Sequence, residues 1–337
     1  MKIYGVMVIG CGYIGLQHLE DIYYRENIRL IAVADTDERA ARFAARKFNA
    51  ESFGTDYRRF LSDERIDIVI IATYTSSHLE ILKDCLEHGK HVLCEKPIAE
   101  TREKGMAFVD LVKQSGSRVL VAHILRHNQT YRRVRELIQS GEIGELKVAR
   151  MVQNHHSMDW ERYRRLLEDS TPVLDCGVHY IDVLQWFTSS RVCEVSGIGA
   201  RICEDSPNFN YTLMTFRLEN GCVGYYEAGW GKQVAARNIK EFIGTKGYIS
   251  LTMKDLRFEN REEGDLITVY NSETGEYRHI NMNVPYKDMY GQLCTLIDMI
   301  EQGSPGNPTI DEVYSAFNVA VTAQEAILQN AVLQVSL

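Results

Sequence analysis

Three glycines, Gly10, Gly12 and Gly15, stand directly after an apolar run, Ile3–Ile9, and open a segment of helical spacing, Ile14–Arg25. In that frame glycines permit a tight turn from strand to helix. They also let main-chain N–H groups approach a pyrophosphate at the helix N-terminus. The pattern carries weight only in such a strand–turn–helix setting. Here the setting continues as an alternation through residue 122. The runs Leu30–Ala34, Glu51–Phe53, Ile68–Ala72, His91–Cys94 and Arg118–Ala122 read as strands. The segments Glu38–Phe48, Ser76–His88 and Arg102–Ser115 between them read as helices. Ile68–Ala72 is apolar throughout, which suits a strand covered on both faces. Such alternation predicts a parallel sheet with helices on both sides.

Beyond Ala122 the pattern changes. Tyr131–Gln139 reads as a helix closed by Ser140-Gly141, Leu146–Gln153 as a strand, and Asp175–Phe187 as an amphipathic helix. From Val192 to Ile280 strands dominate, among them Tyr211–Leu218, Cys222–Ala228 and Leu266–Tyr270, with turns at Glu219-Asn220-Gly221 and Thr274-Gly275. Successive strands without helices predict an antiparallel or mixed sheet. Two helices, Tyr286–Glu301 and Asp311–Gln329, close the chain around the loop Gly303–Pro308. The expected division is residues 1–122 and 123–337, and 337 residues suit two domains.

A formal net charge of −8 argues against a nucleic-acid-binding surface, which needs a basic footprint. No apolar run approaches the roughly 20 residues of a membrane helix. The opening Met1–Val6 leads straight into a strand without a signal-peptide layout, so a cytoplasmic location is expected. The eight cysteines form no CxxC pair and read as reduced, buried thiols. Cys176, beside Asp175, has no base assigned to it as a nucleophile. No metal site is expected: the adjacent His155 and His156 point in different directions on a strand.

Candidate chemistry sits at the expected strand ends. Asp35 closes the second strand, 20 residues beyond Gly15, where a carboxylate can accept both ribose hydroxyls and repel a 2′-phosphate. NAD is therefore expected over NADP, with Arg39 near enough in sequence to soften the preference. Gly10, Gly12, Tyr13, Ile14, Gly15, Asp35, Thr73, His78, Glu95 and Lys96 form the expected cofactor set. Lys96 precedes Pro97, which favours an extended backbone at the carboxyl end of its strand, where ligands bind in such sheets. A lysine there can hold a substrate hydroxyl and stabilise charge developing on its oxygen, and Glu95 can tune it. Asp175 and His179, at i and i+4, share a helical face with Asp182 at i+7. The imidazole can shuttle a proton, and the carboxylate can orient it or bind a second hydroxyl. Arg126, Asn154, His156, Asp159 and Arg164 are further substrate-site candidates.

Gly10–Gly15, Glu95-Lys96-Pro97, Ser140–Gly144 and Asp175-Cys176-Gly177-Val178-His179-Tyr180-Ile181-Asp182 together resemble the Gfo/Idh/MocA family of oxidoreductases, over essentially the whole chain. Carried over by position, Lys96, Asp175 and His179 match the family's catalytic trio. The resemblance implies an α/β chain: an N-terminal doubly wound parallel (Rossmann) sheet, then a C-terminal α+β domain with a large open, mostly antiparallel sheet. It also implies a homodimer or homotetramer. The implied activity is hydride transfer between a nicotinamide cofactor and a hydroxyl or keto carbon of a sugar, cyclitol or related polyol. Two alternatives stay open: a redox-neutral glycosidase that oxidises its sugar transiently, and a non-catalytic dinucleotide-binding sensor. Many members carry a glycine-rich stretch before the catalytic aspartate. This chain has Asp169–Leu174 there, preceded by Trp160–Leu167, and this segment is expected to shape the substrate pocket.

Overall fold

The protein is described by a computed structural model that covers residues 2–254 and 264–336. Residues 255–263, within the strand-rich stretch expected from Val192 to Ile280, lie outside the described residues. The chain forms two compact units, Met1–Ile124 with Lys287–Tyr314, and Leu125–Tyr286 with Ser315–Leu337.

The first unit alternates strand and helix: β1 (Tyr4–Ile9), α1 (Tyr13–Ile22), β2 (Ile28–Ala34), α2 (Glu38–Phe48), β3 (Ser52–Gly54), α3 (Arg58–Leu61), β4 (Ile68–Ile71), α4 (His78–Glu87), β5 (His91–Cys94), α5 (Arg102–Gln114) and β6 (Val119–Val121). The strands pair in parallel in the order β3-β2-β1-β4-β5-β6. The order reverses between β1 and β4, and ligands of doubly wound sheets bind at that switch point. Every residue of β1 and β4 is buried, as expected for central strands covered on both faces. Asp37 caps α2 by accepting from Arg39 N, and Thr101 caps α5 by accepting from Lys104 N.

The second unit contains α6 (Gln129–Gln139), β7 (Leu146–His156), α7 (Trp160–Asp169), α8 (Val178–Thr188), β8 (Val192–Ala200), β9 (Tyr211–Leu218), β10 (Val223–Gly231), β11 (Arg237–Gly244), β12 (Gly247–Thr252), β13 (Asp265–Asn271) and β14 (Tyr277–Met282). The closing helices are α9 (Met289–Gln302) and α10 (Ile310–Gln329), followed by β15 (Leu333–Gln334). One sheet runs β14-β13-β12-β11-β7-β10-β9-β8-β15. Among the described residues only β7 and β10 pair in parallel in this sheet; the other pairs are antiparallel. The expected turns after Leu218 and Thr274 are made by Gly221 and Gly275 at positive φ, 84° and 75°. Phe187 of α8 stacks on Tyr131 of α6 and meets Phe242 of β11 edge-on, which lays both helices on one face of this sheet.

One expectation needs correction. Residues 123–337 do not form a continuous second domain, because 287–314 belong with the first unit. The cause is packing: Leu293, Leu296, Ile297 and Met299 of α9 join the core of Tyr4, Val6, Val8, Leu120 and Ala122. Among the described residues no helix is long and apolar enough to cross a membrane.

Candidate active site

The glycine loop has the form a dinucleotide needs. Gly10 has φ +93°, and a Cβ there would lie 2.4 Å from the Ala72 carbonyl oxygen. A Cβ on Gly15 would lie 1.8 Å from the Gly10 carbonyl oxygen, so the helix packs against its own loop through a missing side chain. A Cβ on Gly12 would meet nothing within 4 Å. This residue caps α1 without a side-chain acceptor, leaving open space before the helix N-terminus. A pyrophosphate fits that combination of uncapped N–H groups and empty approach. Tyr13 is exposed and Ile14 half-buried beside it. Asp35 staples the loop: Oδ2 accepts from Cys11 N at 2.7 Å and Oδ1 from Asp37 N at 2.9 Å. Helix capping falls to Asp37, so each Asp35 oxygen has a further lone pair to offer a donor. Burial, then the charge of Asp35, pushes the Cys11 thiol up to about 12, so it is inert.

Two buried histidines bracket the bend at Glu95-Lys96-Pro97. His78 of α4 is fully buried, with Nδ1 2.9 Å from the Pro97 carbonyl oxygen and Nε2 3.2 Å from that of Thr73. Burial, the largest influence, lowers its pKa, and a neutral ring carries one N–H and so donates to one of these two carbonyls. In either tautomer His78, expected as a cofactor contact, ties α4 to the main chain on one side of this bend. Thr73 sits at the end of β4, where its hydroxyl accepts from Ser77 at 2.8 Å. From the other side, His18 of α1 meets the Glu95 carboxylate at 2.9 Å. Lys96 lies half-buried between these anchors, just beyond β5.

In the second unit, Asp175 lies in a single wide, π-type turn, Val173–Gly177, that leads into α8. Such turns mark functional positions because they re-aim the residues they contain. Val173, Leu174, Gly177, Val178 and Tyr180–Leu184 are buried, while Asp175, Cys176 and His179 stay partly open. The two expected catalytic residues thus share one accessible edge of an otherwise buried segment. Behind that edge Tyr180 stacks on Tyr226 with ring centroids 5.0 Å apart. The Tyr226 ring lies so near Gly177 that a Cβ there would come within 3.1 Å of it. Lys240 of β11, fully buried, places Nζ 4.7 Å from the Tyr180 ring centroid.

With this geometry, the comparisons decide the lineage. Residues 4–123 match the family model described as "Oxidoreductase family, NAD-binding Rossmann fold", and residues 131–250 match the "GFO/IDH/MocA C-terminal domain". The chain belongs to the Gfo/Idh/MocA family. An inositol 2-dehydrogenase of Saccharopolyspora erythraea is 29% identical over 252 residues, covering 72% of each chain. The structure of myo-inositol 2-dehydrogenase from Lactobacillus plantarum superposes with a TM-score of 0.85 at 18% identity, covering 99% of this chain and 100% of that one. Scyllo-inositol dehydrogenase from Lactobacillus casei, solved with NAD(H) and scyllo-inositol, gives 0.81 at 22% identity, with 99% of each chain covered. These two likenesses are of fold. The first unit of this Gfo/Idh/MocA protein is its NAD-binding domain.

The further substrate candidates have structural employment. The guanidinium of Arg126 donates to both oxygens of Asp182 at 2.9 and 2.8 Å, and both residues are buried. Asp182, expected on the open face with His179, is therefore turned inward. Asn154 donates to Glu227 at 2.8 Å and His156 donates from Nδ1 to the Val234 carbonyl at 3.1 Å. Both side chains alternate away from Gln153, which accepts from Tyr226 on the α8 side of the sheet. Asp159 caps α7, and Arg164 pairs with Glu161 and Glu168 along that helix. The α8 side instead receives His155, whose ring lies 5.9 Å from Tyr163 of α7, and Tyr163 meets Trp230 of β10 edge-on at 5.4 Å. Helix α7 is tied down at its start by Trp160 Nε1 donating to Asp205 at 2.8 Å. Gln153, His155, Tyr180, Tyr226 and Lys240, which were not among the expected site residues, line this side of the sheet. For the first two the period of two along β7 was the available signal.

Proposed function

We propose that this protein is an NAD-dependent dehydrogenase of a polyhydroxylated substrate, a sugar or cyclitol, with Lys96, Asp175 and His179 as its catalytic residues. The observation that carries this is that Asp175 and His179, with Cys176 between them, stay partly open on a segment otherwise buried from Val173 to Leu184, in a chain of an NAD-binding oxidoreductase family. The named relatives act on inositols, which favours a cyclitol. When bound, NAD accepts a hydride from a CH–OH carbon. His179 takes the hydroxyl proton, Lys96 offsets the negative charge developing on the oxygen, and Asp175 binds a neighbouring hydroxyl or orients the imidazole. The carboxylate of Asp35 favours NAD over NADP. The first unit holds the cofactor, and the second supplies substrate contacts and, through its large sheet, a homo-oligomer contact. Eight cysteines with no CxxC pair suit a reducing compartment such as the cytoplasm.

The test is formation of reduced cofactor across cyclitols, including myo- and scyllo-inositol, aldoses, amino sugars and acid sugars, with NAD and NADP in parallel. Turnover of one class with NAD is expected. Equal or better turnover with NADP would overturn the role given to Asp35. Demonstrated NAD binding without turnover of any polyol would overturn the dehydrogenase reading.

A further inference from the structure

We propose that the buried His18 and the largely buried Glu95 form a positioning pair for Lys96, holding its ammonium charged and aimed, and that neither is a cofactor contact. This rests on the catalytic reading of Lys96 given above. Glu95 is the residue before Lys96, and its main-chain N–H donates to Ile71 of β4 at 2.9 Å, so the backbone at this point is fixed by the sheet. Its carboxylate turns inward. Oε1 lies 2.9 Å from Nε2 of His18, a residue with no exposed surface, and Oε2 is 3.4 Å from the Lys96 main-chain nitrogen.

The histidine gives the pair away. A carboxylate only accepts, so Nε2 carries the proton and donates. Nδ1 of His18 is buried and has no hydrogen-bond partner among the described residues. A core position that served packing alone would be filled by an apolar side chain, which carries no such penalty. The hydrogen bonding of His18 is spent entirely on Glu95.

The charge environment is consistent. Burial, the largest influence, raises the Glu95 pKa, but the His18 hydrogen bond and the charges of His18, Lys96 and Lys287 outweigh it and hold the carboxyl below its usual range. Glu95 is thus ionised where the enzyme works. The groups facing it are His18 on α1, His78 on α4, Cys94 on β5, Lys96 itself, and Lys287 ahead of α9. Lys287 is engaged elsewhere, donating to Gln17 at 2.6 Å with Nζ 5.4 Å from the Tyr13 ring. Lys96 is the cation adjoining Glu95 in the chain. A fixed anion adjoining a lysine in general favours the charged form of its ammonium and restricts where the side chain points.

The experiment compares Glu95→Gln, His18→Leu and His18→Gln with Lys96→Met, using the most active polyol of the panel and NAD. Glu95→Gln is expected to lower kcat about 10- to 100-fold while the NAD dissociation constant, read from protein fluorescence, stays within about twofold. The high-pH limb of kcat should move down by about one unit, because the anion that supported the ammonium is gone. His18→Leu should reproduce the kcat loss in part, and His18→Gln, still able to donate to Glu95, should recover most of it. Should His18→Leu fail to fold, the contrast between Glu95→Gln and His18→Gln decides. Unchanged kcat and pH limb in Glu95→Gln, or a loss of NAD affinity that matches the loss of kcat, overturns the proposal. Full activity in Lys96→Met would instead sink the catalytic reading of Lys96. Loss in Lys96→Met with normal Glu95 and His18 variants sinks only the positioning pair.

Discussion

Arg126 and Asp182 show how a residue type that suits substrate binding can be claimed by the interior. A buried pair that loses one partner leaves an uncompensated charge behind, at about 3–5 kcal/mol. Arg126→Met is therefore expected to lower the urea midpoint severely. A substrate-contact arginine would instead raise KM at unchanged stability, and the two measurements separate the cases. Lys240 makes the opposite kind of statement. Burial drags its pKa from the usual 10.5 to about 7, with the charge of Asp265 only partly opposing. Between those two values the unfolded chain binds a proton that the folded one does not, so stability rises with pH across that window. The contribution is complete above 10.5 and lost by the time pH falls below about 7. Lys240→Met should remove this slope and stabilise the protein at pH 7 and below by about 1–4 kcal/mol, as apolar replacements of buried charges often do. Urea denaturation on either side of the window checks the sign. Neither environment could be read from the sequence. Arg126 and Lys240 are polar letters there, and only the fold says that α8 and the sheet enclose them.

The elements divide by how much of their burial is periodic. Helix α2 was legible because its buried Ala41, Ala44, Ala45 and Phe48 repeat at helical spacing, and β1 and β4 because they are short runs buried at every position between turn signals. Helix α7 was not. Of its ten residues only Leu167 is buried, and it is laced by Glu161–Arg164, Glu161–Arg165 and Arg164–Glu168 pairs rather than by a core stripe. The wide turn before α8 was invisible for a related reason, since one extra residue in a turn leaves an apolar run looking the same. The expected candidates Asn154 and His156 and their neighbours Gln153 and His155 lie on opposite faces of β7. Alternation tells which residues share a face of β7, but the packing of α8 decides which face is inside. At this scale Gly177→Ala is the informative change. The new Cβ must push the Tyr226 ring by a few tenths of an ångström, since it would arrive 3.1 Å away. The expected result is a fall in kcat of about tenfold, from a shifted Asp175–His179 edge, with the melting temperature nearly unchanged. A large loss of stability with normal kcat in the remaining folded protein would count against that link.

Across the whole molecule the alternation of the first 122 residues announced the nucleotide-binding sheet, and the strand-rich stretch announced the second. What stayed hidden was the route of the chain, because the stripe on α9 reads the same whichever core receives it. Leu296, fully buried in the first unit, ties the end of the chain to its beginning. Leu296→Ala is expected to cost about 2–5 kcal/mol and to weaken NAD binding, although the residue lies far from the glycine loop in sequence. Titration of the variant with NAD and a urea melt test this together. The same return of α9 sets a timetable. On the ribosome, residues 125–286 must all be made before Lys287–Tyr314 can complete the first unit. At 5–20 residues per second that is a wait of roughly 10–30 s. A nascent chain interrupted anywhere in its middle is therefore born with an unfinished nucleotide seat. It is a client for chaperones rather than half an enzyme.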